Sequence, residues 1–301
     1  MPRITPQRFL LSVKIGLLVI FSVVLLHTQG IADSNKTACL WKLRSEKNTV
    51  YILGSIHLLK KDAYPLAQSV ERAFNDSQAV VLETDLEALQ QEKVQKLFLS
   101  KGLYEGKETL RGNVADATYE FVGRKARELG LDIERLSRFR PWFLALTLAV
   151  VKLQKLGFDP EHGVDRYFFD KAKKARKEII SLETAEYQID LFDGMSAFLQ
   201  EKLLLQTLRD LDIIEKDIDR IVAAWASGDT GTLEAVMLKS LREYPEVYNR
   251  LLKERNMNWL PTIERLIGQN KNYLVVVGVG HLIGADSVIS LLKGKGYSLE
   301  Q

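Results

Sequence analysis

The feature that most limits how this chain can fold is a pattern that occurs near both of its ends. Val50-Tyr-Ile-Leu-Gly54-Ser-Ile-His57 and Tyr273-Leu-Val-Val-Val-Gly278-Val-Gly-His281 each run from apolar residues into a glycine and reach a histidine three residues later. Short apolar runs rich in β-branched and aromatic residues read as buried strands. A glycine at the strand end lets the backbone turn sharply, so the histidine can project from the tip. The chain has only four histidines, and two of them occupy this one position. The question is whether the two tips meet.

A third tip lies between them. Ala79-Val-Val-Leu82 runs straight into Glu83, and the preceding segment from Pro65 reads as a helix with Leu66, Val70, Ala73 and Phe74 on its apolar face. Pro65 suits a first helical turn. A strand at 50–54, a helix and a strand ending at Glu83 have the length of a βαβ crossover, which puts Glu83 on the same edge as His57. Upstream, Leu40–Arg44 and Val50–Gly54 flank a hairpin loop over 45–49.

From Leu86 to Leu156 the pattern is mostly helical: Leu89–Leu99, Ala115–Leu129 before Gly130, and Trp142–Leu156 before Gly157. The apolar run 143–151 is too short to span a bilayer and reads as a buried core helix. Val164-Asp165-Arg166 opens another helix, whose five basic residues over 171–177 read as a solvated tail. Glu178–Glu183 is a short strand ending in a carboxylate, and a helix follows from Thr184. Helices over about 195–226, 232–241 and 245–267 come next, then the strand 273–277, a helix over about 284–292 and a short tail. No low-complexity linker divides the chain, so residues 38–300 read as one domain. Its class is α+β with α/β-like features: a mixed central sheet surrounded by helices, with a mostly helical middle section.

Residues 1–32 combine Arg3, Arg8 and Lys14 with the apolar run Ile15–Leu26 and an exit bearing Gly30 and Ala32, the arrangement of a secretory signal peptide. An uncleaved anchor is the alternative. The protein is therefore expected to be secreted or periplasmic, in the cell envelope, and to touch the inner membrane only if this segment is retained. Those three basic residues account for the whole formal charge of +3, which leaves the remainder near neutral and gives no reason to expect a nucleic-acid partner. Cys39 is the only cysteine, so there is no disulfide framework and no thiolate metal cluster. It reads as a small apolar residue at the start of a strand.

Two imidazoles and a carboxylate, with one place left for water, are the donor set of a catalytic divalent ion, so His57, Glu83 and His281 are the candidate metal ligands. An ion so held activates water and polarises a carbonyl without a serine or cysteine nucleophile. The structural alternatives are a histidine that hydrogen-bonds a turn and a glutamate that caps a helix. Neither glycine segment has a dinucleotide or Walker spacing, and there is no Gly-x-Ser-x-Gly elbow.

Gly54-Ser-Ile-His57, Glu83 behind its aliphatic strand, Gly163-Val-Asp165, Leu182-Glu183-Thr184, Arg255-Asn256 and Gly278-Val-Gly-His281 occur in an order that resembles the TraB/PrgY/GumN family, which also includes the Tiki proteins. The resemblance covers roughly residues 38–300. It implies a mixed sheet surrounded by helices that brings His57, His281 and Glu83 together. It also implies metal dependence, with Zn, Mn or Co as the candidate ions, since Tiki members are metal-dependent proteases. Carried onto this chain, Glu183 or Glu186 supplies a further carboxylate as ligand or general base, or is simply a helix N-terminal carboxylate. Asp165 either orients a histidine or caps its helix. Arg255 and Asn256 either stabilise an oxyanion or, for Arg255, form a surface ion pair. Adjacent helical residues point about 100° apart, so only one of that pair is expected to face inward. The leading expectation is a hydrolase, a peptidase in the first instance, acting on a peptide or small-molecule substrate through metal-activated water. The alternative is a non-catalytic envelope protein that binds or sequesters a peptide or signal ligand.

Overall fold

Six strands form one mixed sheet in the order β4-β3-β5-β2-β1-β6, in a computed structural model that describes residues 38–301. The strands are β1 Leu40–Arg44, β2 Thr49–Ser55, β3 Ala79–Leu82, β4 Glu178–Ser181, β5 Tyr273–Gly278 and β6 Leu299–Glu300. β1 and β2 form the expected antiparallel hairpin, while β2, β5, β3 and β4 run parallel. Every residue of β3 and β5 is buried, and so is β2 after Thr49, which is why these strands read as unbroken apolar runs rather than alternating ones. β1 alternates instead: Trp41 and Leu43 point into the core, and Lys42 and Arg44 point away from it.

The chain does not fill the sheet in sequence order. The Gln68–Asp76 helix carries β2 over to β3, but β5, from the far end of the chain, is inserted between them. In that register Ser55 lies opposite Gly278 and Leu82 opposite Val276, so the tips of β2, β3 and β5 end on one edge. Ligands of open parallel sheets bind outside this carboxyl edge, beside such a crossing.

The described residues separate into two compact units. One comprises residues 38–85, 158–183 and 216–301 and holds the whole sheet. On it the Val164–Ala175 helix packs against β3, β4 and β5, and the Glu254–Ile267 helix against β2 and the Val288–Gly294 helix. The other comprises residues 86–157 and 184–215 and is helical. Its helices Glu92–Gly102, Asp116–Glu128 and Pro141–Lys155 match the expected three, and Gly130 and Gly157 follow the last two with positive φ. Phe98, Phe139, Trp142, Phe143 and Phe192 form its aromatic centre. The apolar run 143–151 is indeed core, and among the described residues no helix is long and apolar enough to cross a membrane. The leader over 1–32 lies outside the described residues.

Three local expectations shift. The first helix begins at Gln68, with Pro65 ahead of it. The tail pairs Leu299 and Glu300 with β1 as an edge strand. The stretch over 245–267 contains a π-helical turn, Asn249–Lys253, just before the Glu254–Ile267 helix, and a second π-helical turn occupies Glu234–Leu238. Such turns place one extra residue in the helix, which a 3.6-residue pattern does not reveal.

Candidate functional site

The strand tips converge on a buried cluster. Glu83 leaves β3 directly, and the β3–β4 pairing continues past both strand ends, with Glu183 N–H donating to the Glu83 carbonyl at 2.8 Å, so the two glutamates stand side by side. His281 closes the turn Val279–His281 after Gly278. Gly54 ends its strand under close contact: a Cβ there would lie 2.8 Å from Val279 Cγ2, and its carbonyl accepts from Trp225 Nε1 at 2.8 Å.

Arg255, fully buried, is the hub. Its Nε donates to Glu183 at 3.0 Å, Nη2 to Glu83 and Glu183 at 2.7 Å each, and Nη1 to the Leu251 carbonyl at 3.2 Å and to His281 Nε2 at 2.9 Å. All five guanidinium N–H groups are thereby satisfied. Because arginine only donates, His281 Nε2 must present its lone pair, so the ring proton sits on Nδ1 and is donated to Asn256 Oδ1 at 2.7 Å. The Asn256 amide is oriented by Nδ2 donating to the Asp286 carbonyl at 2.9 Å. Both members of the adjacent pair therefore face inward, Arg255 toward one ring nitrogen of His281 and Asn256 toward the other. The indole of Trp259, one turn further along the helix, lies 4.8 Å from the guanidinium and 4.4 Å from the His281 ring.

These contacts set the charges. Burial, then Arg255, drive the His281 pKa down to about 3, so the ring is neutral. Burial alone would raise the Glu83 carboxyl, but Arg255 foremost, with the His57 charge and the Gly278 N–H at 2.6 Å, outweighs it and holds it at about 2. For His57 burial works downward, but the Asp165 carboxylate, with help from Glu83, outweighs it and lifts the imidazole to about 9.

Asp165 is the second residue of the Val164–Ala175 helix and does not cap it; Gly163 occupies that position without a side chain. Its Oδ1 lies 3.1 Å from His57 Nδ1. The two form a buried ion pair, and neither of these atoms has a hydrogen-bond partner elsewhere. A Cβ on Gly163 would sit 2.4 Å from the His57 carbonyl oxygen and 3.0 Å from Asp165 Oδ1, so only glycine allows this approach.

All the expected residues except Glu186 thus lie in the sheet-bearing unit. Glu186 belongs to the helical unit, in the first turn of the Ala185–Asp193 helix, where it pairs with Lys93 at 3.8 Å. Among the described residues no three His, Cys, Asp or Glu side chains are arranged to hold an ion. The donors of Glu83 and His281 are taken up by Arg255, Gly278 and Asn256, and His57 Nδ1 and Asp165 Oδ1 are taken up by each other as an ion pair. Reasoning from sequence missed Trp259 and the Asp286 carbonyl as parts of the site, and named Gly163 only within its motif. The four-residue step from Arg255 is a signal for Trp259; a backbone carbonyl leaves none.

The uncharacterized protein YbaP of Escherichia coli (strain K12) is 23% identical over 246 residues, covering 81% of this chain and 87% of that protein. An uncharacterized protein of Treponema pallidum (strain Nichols) is 20% identical over 277 residues, 86% of this chain and 81% of that protein. A metalloprotease TIKI homolog of Amphimedon queenslandica is 34% identical over 70 residues, 23% of this chain and 13% of that protein. No solved structure matches significantly. The family model described as TraB/PrgY/gumN matches residues 39–301, nearly the whole described region, and the chain belongs to the TraB/PrgY/gumN family.

Proposed function

We propose that the cluster at the strand tips is the active centre of a metal-dependent hydrolase of the cell envelope that cleaves peptide bonds. The observation that carries this reading is the convergence of both Gly-x-x-His tips with Glu83, Glu183 and Asp165 at the carboxyl edge of one sheet, where Glu83 and Glu183 share one guanidinium and Asp165 pairs with His57. When bound, an ion such as Zn, Mn or Co supplies a polarised carbonyl and an activated water.

The chain's own groups have distinct tasks. Arg255 keeps Glu83 and Glu183 fixed, and holds Glu83 ionised, in a buried site. His281, neutral and held by Asn256, contributes no charge. His57, in the protein without metal, carries its proton at neutral pH under the influence of Asp165. The peptide as substrate rests on the short similarity to the TIKI homolog, whose name describes a metalloprotease. The placement in the envelope rests on the leader over 1–32.

One observation favours a non-catalytic alternative, a protein that binds and sequesters a peptide: every guanidinium N–H and both Glu83 oxygens are already satisfied within the protein. The test incubates purified protein with a library of unstructured peptides, with added Zn, Mn or Co and with chelator, and reads products by mass spectrometry. Cleavage that requires metal and is lost in His57→Ala supports the hydrolase. Retention of intact peptide with no cleavage under any metal refutes it in favour of sequestration.

A further inference from the structure

We propose that the outward face of the Ala197–Ser227 helix, where the helical unit carries Phe198, Lys202, Leu205, Arg209 and Ile213, docks on an anionic lipid surface. This docking is independent of the hydrolytic reading and of any chemistry at the strand tips.

The helix sorts its apolar side chains by direction. At about 100° per residue those five positions fall within about 80° of one another, opposite the side on which Leu204, Leu211 and Ile214 are buried. Few large apolar side chains stand exposed among the described residues. Phe198, 65% exposed, and Ile213, 47% exposed, are two of them, and both lie on this face.

The charges are sorted as well. Glu201, Asp212 and Glu215 lie on one flank and are all engaged within the unit: Glu201 accepts from the Thr118 hydroxyl and the Ala115 N–H, Asp212 from Lys125 at 2.6 Å, and Glu215 from Lys152. The outward sector from Phe198 to Ile213 holds no carboxylate. Lys202 and Arg209, which do lie in it, form no ion pair among the described residues, and Lys202 Nζ rests 4.9 Å from the centre of the Phe198 ring.

A flat anionic surface suits this combination. Phe198 and Ile213 stand about 22 Å apart along the axis at about 1.5 Å per residue, with both cations between them, so the helix offers a straight line of contacts rather than a pocket. The apolar tips enter the boundary between headgroups and acyl chains while the long cationic side chains reach the phosphates. A second copy of the chain fits poorly, because a two-fold contact sets Lys202 and Arg209 against like charges.

The test mixes the full chain with vesicles of phosphatidylcholine, alone or with phosphatidylglycerol. Cys39, the only cysteine, is buried, so a thiol-reactive fluorophore reports on an introduced position: Ile213→Cys on this face, or Ser100→Cys on the Glu92–Gly102 helix as the reference. With brominated lipid present, the label at 213 is expected to be quenched in phosphatidylglycerol vesicles and the label at 100 to stay bright. Adding Lys202→Gln and Arg209→Gln to the labelled chain should reduce that quenching about fivefold or more at limiting lipid, with circular dichroism showing the fold intact. Reading depth at one position separates docking of this face from attachment through any other segment. Four results overturn the proposal: no quenching at 213, equal quenching at 213 and 100, equal quenching without phosphatidylglycerol, or shielding of the label without vesicles together with a doubled mass, which marks a dimer.

Discussion

Replacing Arg255 with methionine should destabilise the protein most at neutral pH and progressively less as the solution is acidified. The substitution preserves much of the buried volume but removes a guanidinium that bonds Glu83, Glu183, His281 and the Leu251 carbonyl. Breaking a buried ion pair from one side typically costs about 3–5 kcal/mol, because the remaining charge has neither water nor a partner. Here two carboxylates, 7% and 4% exposed, are left in that condition. The pH dependence follows from Glu83. Its pKa in the folded protein is lowered to about 2, so the associated stability is present above the ordinary value of 4.5 and is lost as pH falls from there toward 2. Without Arg255 the burial effect, which raises the pKa, loses its main opponent, and protonation then relieves the variant rather than harming it. Urea unfolding of both proteins at pH 7, 5 and 4 reads the difference, with coincident fluorescence and circular dichroism transitions as the check on cooperativity. Adding Glu83→Gln and Glu183→Gln to the arginine variant should recover more than half of the loss at pH 7, since it is the unpaired charge that costs most. A loss below about 1 kcal/mol, or a gap that is the same at pH 7 and 4, refutes the view of Arg255 as the neutralising hub.

Three further outcomes are expected. Gly163→Ala forces a Cβ against the His57 carbonyl oxygen and should separate His57 from Asp165, which NMR titration reads as a fall in the His57 pKa from about 9; in wild type that raised pKa contributes stability present below the ordinary 6.5 and lost as pH rises through about 9. Asn256→Leu removes the acceptor for His281 Nδ1–H while Arg255 still fixes the tautomer, so it should cost about 1–3 kcal/mol in unfolding experiments by leaving a buried donor unpaired, with nitrogen shifts of the ring showing the same tautomer. Trp225→Phe deletes the N–H donated to the Gly54 carbonyl and should cost about 1–3 kcal/mol in unfolding experiments by leaving a buried acceptor unpaired.

The sheet strands were legible because each of β2, β3 and β5 is an apolar run closed by a glycine or a carboxylate, and burial on both faces leaves that mark in any parallel strand. The order of the strands was not. Nothing in Tyr273–Gly278 says that it enters between β2 and β3, because the choice among parallel neighbours depends on the packing of helices far away in sequence. The members of the site were legible as residue types at strand tips, yet their partners were not. Sequence placed Glu83 and His281 as metal ligands beside a possible surface Arg255, whereas in the folded chain Arg255 is fully buried and bonded to both. The inward turn of both Arg255 and Asn256 follows a π-helical turn just upstream, an extra residue that apolar periodicity averages away.

The position of β5 has a consequence for the site as a whole. Glu83 Oε1 is bonded to the N–H of Gly278, and His281 follows three residues later, so neither the charge state of Glu83 nor the lone pair of His281 is set until the last parallel strand has joined the middle of the sheet. The hub depends on the same event, because Arg255 needs His281 as an acceptor and both glutamates as counter-charges. His57 and Asp165 do not. Their approach is fixed by Gly163 and by the Val164-to-Ile56 hydrogen bond, contacts that involve no residue after 165. The cluster is therefore two assemblies joined by electrostatics: one saturated around Arg255 and one formed by the buried His57–Asp165 ion pair.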